Sequence, residues 1–255
     1  MIMPGLLDKP RDQYTWHRRG VIYQWDYLLA QLTAGLSGPP IHLHVVRHAE
    51  SAANASGMIT GQSDAELTLR GYVQALGLGF RLRYKYDVAW VSCLARTYKT
   101  IQVAESLRFQ KISRRPICAD SRLNERCLGD LEGTPRRRID AYAAGDLLYA
   151  PNGGESYLDL AQRLLSFLLD LRRDTQCETR AIVATHVGPM RLLVGIINDL
   201  DDPRSVLGQR FSNAQTYSCV FRDLRWPAFI RKEVLHGRCE QDMGIAFKAA
   251  DYSEV

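Results

Sequence analysis

Residues 41–50 read IHLHVVRHAE, and this stretch decides how the rest of the chain is interpreted. Its first part, Ile41 to Val46, has the length and composition of a short β-strand, and the Ser-Gly-Pro-Pro breaker at 37–40 marks its start. The strand ends directly in Arg47 and His48, two side chains that can carry chemistry. A buried strand with reactive residues at its carboxyl end is typical of an open α/β sheet, in which ligands bind beyond the strand ends.

Downstream of this strand, helix patterns and strand patterns alternate along the chain. Helices are predicted at 68–82, 95–107, 156–172 and 189–197, and strands at 88–91, 181–184, 214–222 and around Phe229. Strands separated by helices predict a mostly parallel sheet with helices on both faces. The expected fold class is therefore α/β, as a three-layer α/β/α sandwich.

The predicted organisation is one globular domain with an N-terminal extension. Residues 1–40 form the extension with one amphipathic helix over 23–36, and residues 41–255 form the domain. Within the domain, 130–153 are expected to form a short cover over the site and 226–255 a C-terminal tail. The pattern does not decide whether the extension packs on the main body or on a second subunit, so a homodimer stays open.

Composition narrows the class of protein. Hydrophobic residues make up 46% of the 255 residues and charged residues 24%, which is close to the average soluble protein. The chain lacks an apolar run of about 20 residues, so no membrane association is predicted. Its start lacks a basic segment followed by an apolar one, and its six cysteines are scattered without a CxxC pair, which together predict a cytoplasmic protein with reduced thiols. The net charge is +5, but the arginine clusters are not interleaved with aromatics, so nucleic-acid binding is not expected.

The residues that could carry chemistry follow three different predicted strands. Arg47 and His48 end the first strand, Arg96 follows the strand at 88–91, and His186 ends the strand at 181–184. The planar guanidinium of arginine suits phosphate oxygens, and histidine can be a neutral nucleophile near pH 7. Nearby positive charge disfavours the imidazolium form, which makes a nucleophilic histidine between arginines plausible.

Five motifs in order resemble those of a known family. The run Val46 to Ser51, with Asn54 following, resembles the signature of the histidine phosphatase superfamily, also called phosphoglycerate mutase-like. The segments at 92–100, 123–133, 154–156 and 185–191 are similar to the family's other motifs. Among its branches, Val187-Gly188-Pro189 resembles the α-ribazole phosphatase and broad-specificity branch more than the mutases.

The resemblance implies catalytic roles for five residues. His48 would take the phosphoryl group, while Arg47, Arg96 and His186 would hold its oxygens through the transition state. Glu125 would protonate the leaving group and then activate water, for which it must be protonated near neutral pH.

The resemblance also implies further contacts to the substrate. Asn54 would add a hydrogen bond to the phosphate, and the backbone of Thr60 and Gly61 would line the substrate pocket. Val187 stands where the family commonly has glycine, so only its backbone N–H would contact phosphate. The family needs no metal and no cofactor. The expected partner is a small-molecule phosphate ester.

Phosphatase and mutase chemistry differ in the length of the cover. Mutases of the family carry a long insertion after the glutamate loop, whereas here Glu125 lies only thirty positions before Glu155. This spacing leaves room for about one helix, expected over 135–144, and a shorter cover admits water and favours hydrolysis. The cluster at 136–138, three arginines that could grip a second anionic group, keeps the cofactor-dependent phosphoglycerate mutase alternative open.

Two other readings have weaker support. His42 and His44 alternate on one strand and could bind zinc, but Val46 and Arg47 stand where a metal-dependent hydrolase of that type needs Asp and His. A catalytically silent phosphate-binding or scaffold protein is the third alternative, and the complete catalytic set argues against it. The natural ester stays open among sugar phosphates, nucleotides and biosynthetic intermediates.

Overall fold

The computed structural model describes residues 21–108, 110–137, 139–231 and 233–234. Three sequence predictions therefore fall, wholly or in part, outside the described residues: the absence of a secretory signal at the start of the chain, Arg138 of the arginine cluster, and most of the C-terminal tail.

A five-stranded sheet forms the centre of the fold, in the order β3-β2-β4-β1-β5. Its strands are β1 (Ile41–Arg47), β2 (Val88–Val91), β3 (Ile117–Ala119), β4 (Thr179–Thr185) and β5 (Thr216–Phe221). All neighbouring pairs are parallel except β1 and β5, which are antiparallel. The mostly parallel sheet is confirmed. Sequence patterns missed β3, because three residues are too few to show a period.

The helices are α1 (Trp25–Ala34), α2 (Ala52–Ala55), α3 (Leu69–Arg81), α4 (Ala95–Ser106), α5 (Asp140–Ala144), α6 (Tyr157–Asp174), α7 (Val187–Ile197) and α8 (Pro203–Leu207). The predicted start of α6 is confirmed by a capping box, in which Ser156 and Asp159 satisfy each other's backbone N–H groups. A single helix is predicted over 135–144, but only its second half is helical, as α5.

Successive side chains of the strands pack into two separate apolar cores, one on each face of the sheet. On one face, Val45, Ala181 and Val183 pack with buried leucines of α1, α6 and α7. On the other face, Val46 and Ala184 pack with residues of α3 and α4. The expected three-layer sandwich is confirmed, because successive side chains of a strand point to opposite faces and both faces are covered.

The helix before the first strand packs on the main body. Leu28 and Leu32 of α1 are buried in the same core as the leucines of α6. The hydroxyl of Tyr23 donates to the carboxylate of Asp170 on α6 over 2.7 Å. The question that the sequence left open, main body or second subunit, is answered for this segment.

The strand predicted around Phe229 is wrong, since residues 228–231 are helical. The carbonyl of Pro227 accepts hydrogen bonds from the N–H groups of Ile230 and Arg231, and proline suits the first turn of a helix. Phe229 and Ile230 are buried in the main core, so their apolar character reflects burial and not a strand period. Among the described helices, none is long and apolar enough to cross a membrane.

Candidate active site

Neighbouring parallel strands bring the two predicted site histidines together. Arg47 at the end of β1 is in register with Thr185 at the end of β4, so the next residues, His48 and His186, leave the sheet side by side. The backbone N–H of His48 donates to the carbonyl of Thr185 over 3.0 Å. The centroids of the two imidazole rings lie 5.1 Å apart.

The ring of His48 is held in one tautomer. Its Nδ1 lies 2.7 Å from the carbonyl oxygen of Ala49, and a carbonyl can only accept a hydrogen bond. Nδ1 therefore carries the hydrogen, which leaves the lone pair on Nε2. The side chain is only 3% exposed. A buried imidazole with its lone pair fixed on Nε2 has the electronic form that a nucleophile requires.

Burial and positive neighbours keep both rings neutral. Burial, and then the charges of Arg96 and Arg47, hold the pKa of His48 well below its usual range. The pKa of His186 is also well below its usual range, because of burial, then Arg96 and His48. An unpaired imidazolium in this place would lose its hydration and lie beside other cations. The neutral nucleophile expected from the sequence agrees with these directions.

These two lowered pKa values predict how stability depends on pH. In the unfolded chain the pKa of histidine is about 6.5. Below that pH the unfolded state binds protons that the folded state does not, so stability is lost as pH falls. Each histidine then lowers the free energy of unfolding by up to about 1.4 kcal/mol per pH unit. Urea unfolding at pH 7.5 and 5.5 measures this loss.

A His48→Gln variant provides the comparison for that measurement. The variant should lose less stability on acidification than the wild type, because one buried titrating group is gone. Equal losses for the variant and the wild type would contradict the assignment of a neutral buried ring.

His186 is part of a hydrogen-bonded chain that the sequence analysis missed in part. Nε of Arg96 donates to its Nδ1 at 3.3 Å, so Nδ1 is the unprotonated nitrogen and Nε2–H donates to the hydroxyl of Ser92 over 2.7 Å. Ser92 in turn contacts the hydroxyl of Thr97. Both ring nitrogens are thus engaged within the protein, and the expected direct contact of His186 with phosphate stays a prediction. Ser92 was visible only as a motif position.

The two predicted arginines differ in burial and orientation, since Arg96 is buried and Arg47 half-buried. Arg96 donates to the carbonyls of Gly61 and Ser63 over 2.7 Å each, which leaves other N–H groups of its guanidinium for an anion. Arg47 donates to the carbonyl of Phe211, while its buried Nε–H has no partner in the described part of the chain. Burial lowers the pKa of Arg47 to about 10 and also lowers that of Arg96. A buried donor without a partner is a group that a bound anion would satisfy.

Glu125 reaches the site from the loop after the first 3-10 turn (Ser121–Leu123). Its Oε1 accepts from the backbone N–H groups of Arg126 at 2.9 Å and Gly188 at 3.1 Å. Gly188 lies in the first turn of α7, so the carboxylate sits next to the start of the helix that follows His186. The structure thus brings Glu125 to the rim that carries both histidines.

The loop that carries Glu125 is held by an arginine that the sequence analysis did not single out. Arg163 of α6 donates to both carboxylate oxygens of Glu155 at 3.0 Å, and to the carbonyls of Arg122, Asn124 and Glu125. Its only sequence signal is a position about two helical turns beyond the Gly154-Glu155-Ser156 motif. The motif glutamate therefore supports the catalytic loop through Arg163.

Asn54 is placed by a second asparagine. Nδ2 of Asn213 donates to Oδ1 of Asn54 at 2.9 Å and to the carbonyl of His48 at 3.2 Å. The Nδ2 group of Asn54 is then the part of that amide that could donate to an anion. Next to Asn213, Ala214 has a φ of 55° and donates to the same His48 carbonyl. A non-glycine residue in this conformation is uncommon and indicates that the turn is held by its surroundings.

Thr60 and Gly61 belong to a loop that is clamped by Glu132. The Glu132 carboxylate accepts from the backbone N–H groups of Gln62, Ser63 and Leu128. Burial alone would raise the pKa of Glu132, but these hydrogen bonds lower it below its ordinary value. Gly61 has a φ of 51°, and a Cβ there would lie 2.0 Å from Oε1 of Glu132, so only glycine fits. The carbonyls of Gly61 and Ser63 in this loop accept from the guanidinium of Arg96.

Val187 is the first residue of α7, with His186 as the N-cap. The N–H groups of a first helical turn have no partner within the helix, so the backbone N–H of Val187 is free of helical bonds, and its contact with phosphate stays a prediction.

On the opposite end of the sheet, His42 pairs with Glu178 at 2.8 Å, and His44 lies against the ring of Tyr86. Within the described residues, no group of three or more His, Cys, Asp or Glu side chains could hold a metal ion.

Known proteins are similar to this chain in sequence and in fold. The 2,3-bisphosphoglycerate-dependent phosphoglycerate mutase of Methylobacterium radiotolerans is 32% identical over 172 residues, which cover 63% of this chain and 80% of that relative.

Two solved structures are similar in fold. The mycobacterial glucosyl-3-phosphoglycerate phosphatase complexed with VO3 has a TM-score of 0.61 and 24% identity, covering 73% of this chain and 98% of that one. YhfR of Bacillus stearothermophilus has a TM-score of 0.57 and 27% identity, covering 71% and 90%. A family model described as histidine phosphatase superfamily (branch 1) matches residues 43–227. The chain therefore belongs to the histidine phosphatase superfamily.

Proposed function

We propose that this protein is a metal-independent phosphatase that hydrolyses a small phosphomonoester through a phosphohistidine on His48. The observation that carries the proposal is the ring of His48, with Nδ1–H donated to the carbonyl of Ala49 and the Nε2 lone pair left for attack. Arg47 and Arg96 supply the positive charge that a phosphoryl group needs.

In the first step, Nε2 of His48 attacks phosphorus and the bond from phosphorus to the ester oxygen breaks. Arg47 and Arg96 hold the non-bridging oxygens, whose charge is largest in the transition state. The carboxyl group of Glu125 gives its proton to the departing alkoxide. His186 orients the guanidinium of Arg96 through the contact at Nδ1.

In the second step, water attacks the phosphohistidine. Glu125, now a carboxylate, takes a proton from that water as the bond from phosphorus to nitrogen breaks. Phosphate leaves, and His48 returns to the neutral form that its surroundings favour. The backbone N–H of Val187 and the amide of Asn54 supply further donors to the phosphate in both steps.

The short cover supports transfer of the phosphoryl group from His48 to water and not back to a substrate molecule. Between Glu125 and Glu155 the described chain forms only the 3-10 turn Gly129–Leu131 and the short helix α5. A site under so small a cover admits water. Phosphoglycerate mutase activity is the alternative, because curated relatives such as the one from Methylobacterium radiotolerans carry that name.

Phosphate release from a panel of esters, with a chelator present, tests the proposal. The panel contains sugar phosphates, nucleotides, phosphoglycerates and p-nitrophenyl phosphate. Release that persists with chelator supports the phosphatase. Conversion of 3-phosphoglycerate that needs a bisphosphorylated primer, without release from any ester, would mean a mutase. Silence in both assays would favour a phosphate-binding or scaffold protein.

The role of Glu125 predicts a dependence on the leaving group. Changing Glu125 to Gln should lower kcat/KM for alkyl phosphates by about 10²- to 10⁴-fold, because an alkoxide needs a proton to depart. For p-nitrophenyl phosphate, whose phenolate departs without a proton, the loss should be much smaller. Steady-state kcat/KM reports this step, because it covers events up to the first irreversible one.

The control for this comparison is Glu178→Gln, which changes an exposed carboxylate at the start of β4, on the opposite end of the sheet. It should leave both kcat/KM values unchanged. Equal losses for alkyl and p-nitrophenyl esters in the Glu125 variant would rule out the proton-donor role.

A further inference from the structure

The chain just before α1 lies along α6, and Tyr23 is its main point of contact. Three side chains of α6 that are spaced four residues apart, Gln162, Ser166 and Asp170, bind this tyrosine. Ser166 accepts from its backbone N–H at 3.0 Å, Gln162 donates to its carbonyl at 3.3 Å, and Asp170 accepts from its hydroxyl at 2.7 Å. Residues four apart share one face of a helix, so these contacts fix both the backbone and the ring of Tyr23.

Asp170 connects this tyrosine to a buried arginine. Its Oδ1 accepts from the hydroxyl of Tyr23, and its Oδ2 accepts from Nη1 of Arg122 at 2.8 Å. The same Nη1 donates to the carbonyl of Val21 at 3.2 Å. The phenol thus orients the carboxylate so that its second oxygen faces the guanidinium, and the N-terminal extension reaches Arg122 by two routes.

The guanidinium of Arg122 lies between two carboxylates inside the protein. Its Nε and Nη2 donate to Asp120 over 2.7 to 3.2 Å, and the residue is 1% exposed. Two carboxylates against one guanidinium leave one negative charge in excess, and a buried charge needs further donors. The hydroxyl of Tyr23 is such a donor. The hydrogen bond to Asp170 is also the first cause that raises the pKa of Tyr23, so the phenol keeps its proton.

Arg122 stands three residues before Glu125, in the 3-10 turn that leads into the catalytic loop. The residues between them are tied to the ends of strands. The carbonyl of Leu123 accepts from the hydroxyl of Thr185 at 2.6 Å, and Oδ1 of Asn124 accepts from a backbone N–H of the loop after β2 at 2.8 Å. A segment this short has little slack, so a loosened turn at Arg122 shifts Glu125 relative to the strand ends.

We infer that Tyr23 is a positioning residue for proton donation: its hydroxyl, through Asp170 and Arg122, holds the turn that presents Glu125 to the leaving group. The inference rests on the proposed phosphatase function, in which Glu125 protonates the departing alkoxide. It gives the N-terminal extension, which precedes the residues that match the family, a part in the catalytic step.

Changing Tyr23 to Phe removes the hydroxyl and keeps the ring. In this variant kcat/KM for an alkyl phosphate should fall about fivefold to tenfold, because a displaced carboxyl group donates its proton less well. The fall should be smaller than in Glu125→Gln, since Arg163 still binds the carbonyl of Glu125. For p-nitrophenyl phosphate, which needs no proton, kcat/KM should stay within about twofold. A general loosening of the fold would lower both values alike, so their ratio separates positioning from stability.

The matched control is Tyr27→Phe, which removes the same atom from a tyrosine of α1. The hydroxyl of Tyr27 also faces α6, but its partner there is Arg173, at 2.7 Å. This control should keep the wild-type ratio of the two kcat/KM values. Thermal unfolding of both variants shows that each is folded at the assay temperature.

The route through Asp170 is tested by combining two substitutions. In an Asp170→Ala background the link from the phenol to Arg122 is already absent. Adding Tyr23→Phe there should change the ratio by less than about twofold, because two residues that act through one contact do not have additive effects.

The outcomes that overturn the inference differ from those that overturn the function. If Tyr23→Phe keeps the wild-type ratio, or Tyr27→Phe shifts it as much, the positioning role is wrong while the phosphatase function stands. If Tyr23→Phe has its full effect without Asp170, the proposed route is wrong. If Glu125→Gln itself shows no dependence on the leaving group, or the wild type hydrolyses no ester, the proposed function fails and the inference fails with it.

Discussion

Replacing His48 with alanine should lower turnover by about 10⁴-fold or more while the protein stays folded. The imidazole supplies the only bond that holds the phosphoryl group between the two steps, so no neighbouring group can replace it. The loss in stability should be small, because the side chain makes one hydrogen bond, to the carbonyl of Ala49, and lies beside two positive charges. Phosphate release and thermal unfolding measure the two effects.

A histidine on the same strand provides the control. His42 lies on β1 but at the opposite end of the sheet, and His42→Ala should keep full activity. Rapid quenching of the wild-type reaction should also trap a phosphorylated protein that is labile in acid and stable in alkali, and His48→Ala should lack it. Activity of the His48 variant within about tenfold of wild type would refute the assignment, since removing a nucleophile costs far more.

Replacing Arg163 with methionine should lower the free energy of unfolding by about 3 kcal/mol, at the low end of the cost of breaking a buried ion pair, because the carboxylate of its partner Glu155 is only partly buried. Arg163 is 4% exposed and donates to the Glu155 carboxylate and to the carbonyls of Arg122, Asn124 and Glu125. Its loss removes the guanidinium from that carboxylate and from three carbonyls, although the N–H of Cys127 still donates to Glu155 and the side-chain amide of Gln62 to the carbonyl of Glu125. Activity should fall as well, because the loop that carries Glu125 loses its anchor. Urea unfolding and kcat/KM measure both.

The same helix supplies a control for this variant. Arg173 of α6 is partly exposed and contacts Tyr27 and Gln31, so Arg173→Met should cost no more than about 1 kcal/mol. Changing Glu155 to Gln in the Arg163→Met background should recover part of the loss, since the unpaired charge is then removed. A similar loss of unfolding free energy for both variants would show that the contacts of Arg163 with the loop of Glu125 add nothing to stability.

The sequence predicted those features of the fold and site that depend on local order along the chain. A strand that ends in Arg47-His48 and another that ends in Thr185-His186 must meet at one rim once the sheet is parallel, and they do. The N-cap at Ser156 was equally readable, because serine followed three residues later by an acid is a local signal. Glu125 could be placed only by resemblance, since its loop shows no period.

The sequence could not show which side chains support the reactive ones. Ser92 on His186, Asn213 on Asn54 and Glu132 on the loop at 61–63 are contacts between segments far apart in the chain. Polar residues in loops give no pattern that identifies a distant partner. Phe229 was misassigned for a related reason, because burial by tertiary packing and burial within a strand look alike over two or three apolar residues.

The segment that matches the family is shorter than the segment that builds the apolar core. The family match spans 43–227, yet one continuous apolar core includes Leu28 and Leu32 before that span and Phe229 and Ile230 after it. Trp25, before the span, contacts Trp226, near its end, edge to face. A gene fragment trimmed to the matched span would present this apolar surface to solvent, so the proper boundaries for expressing the protein are those of its core.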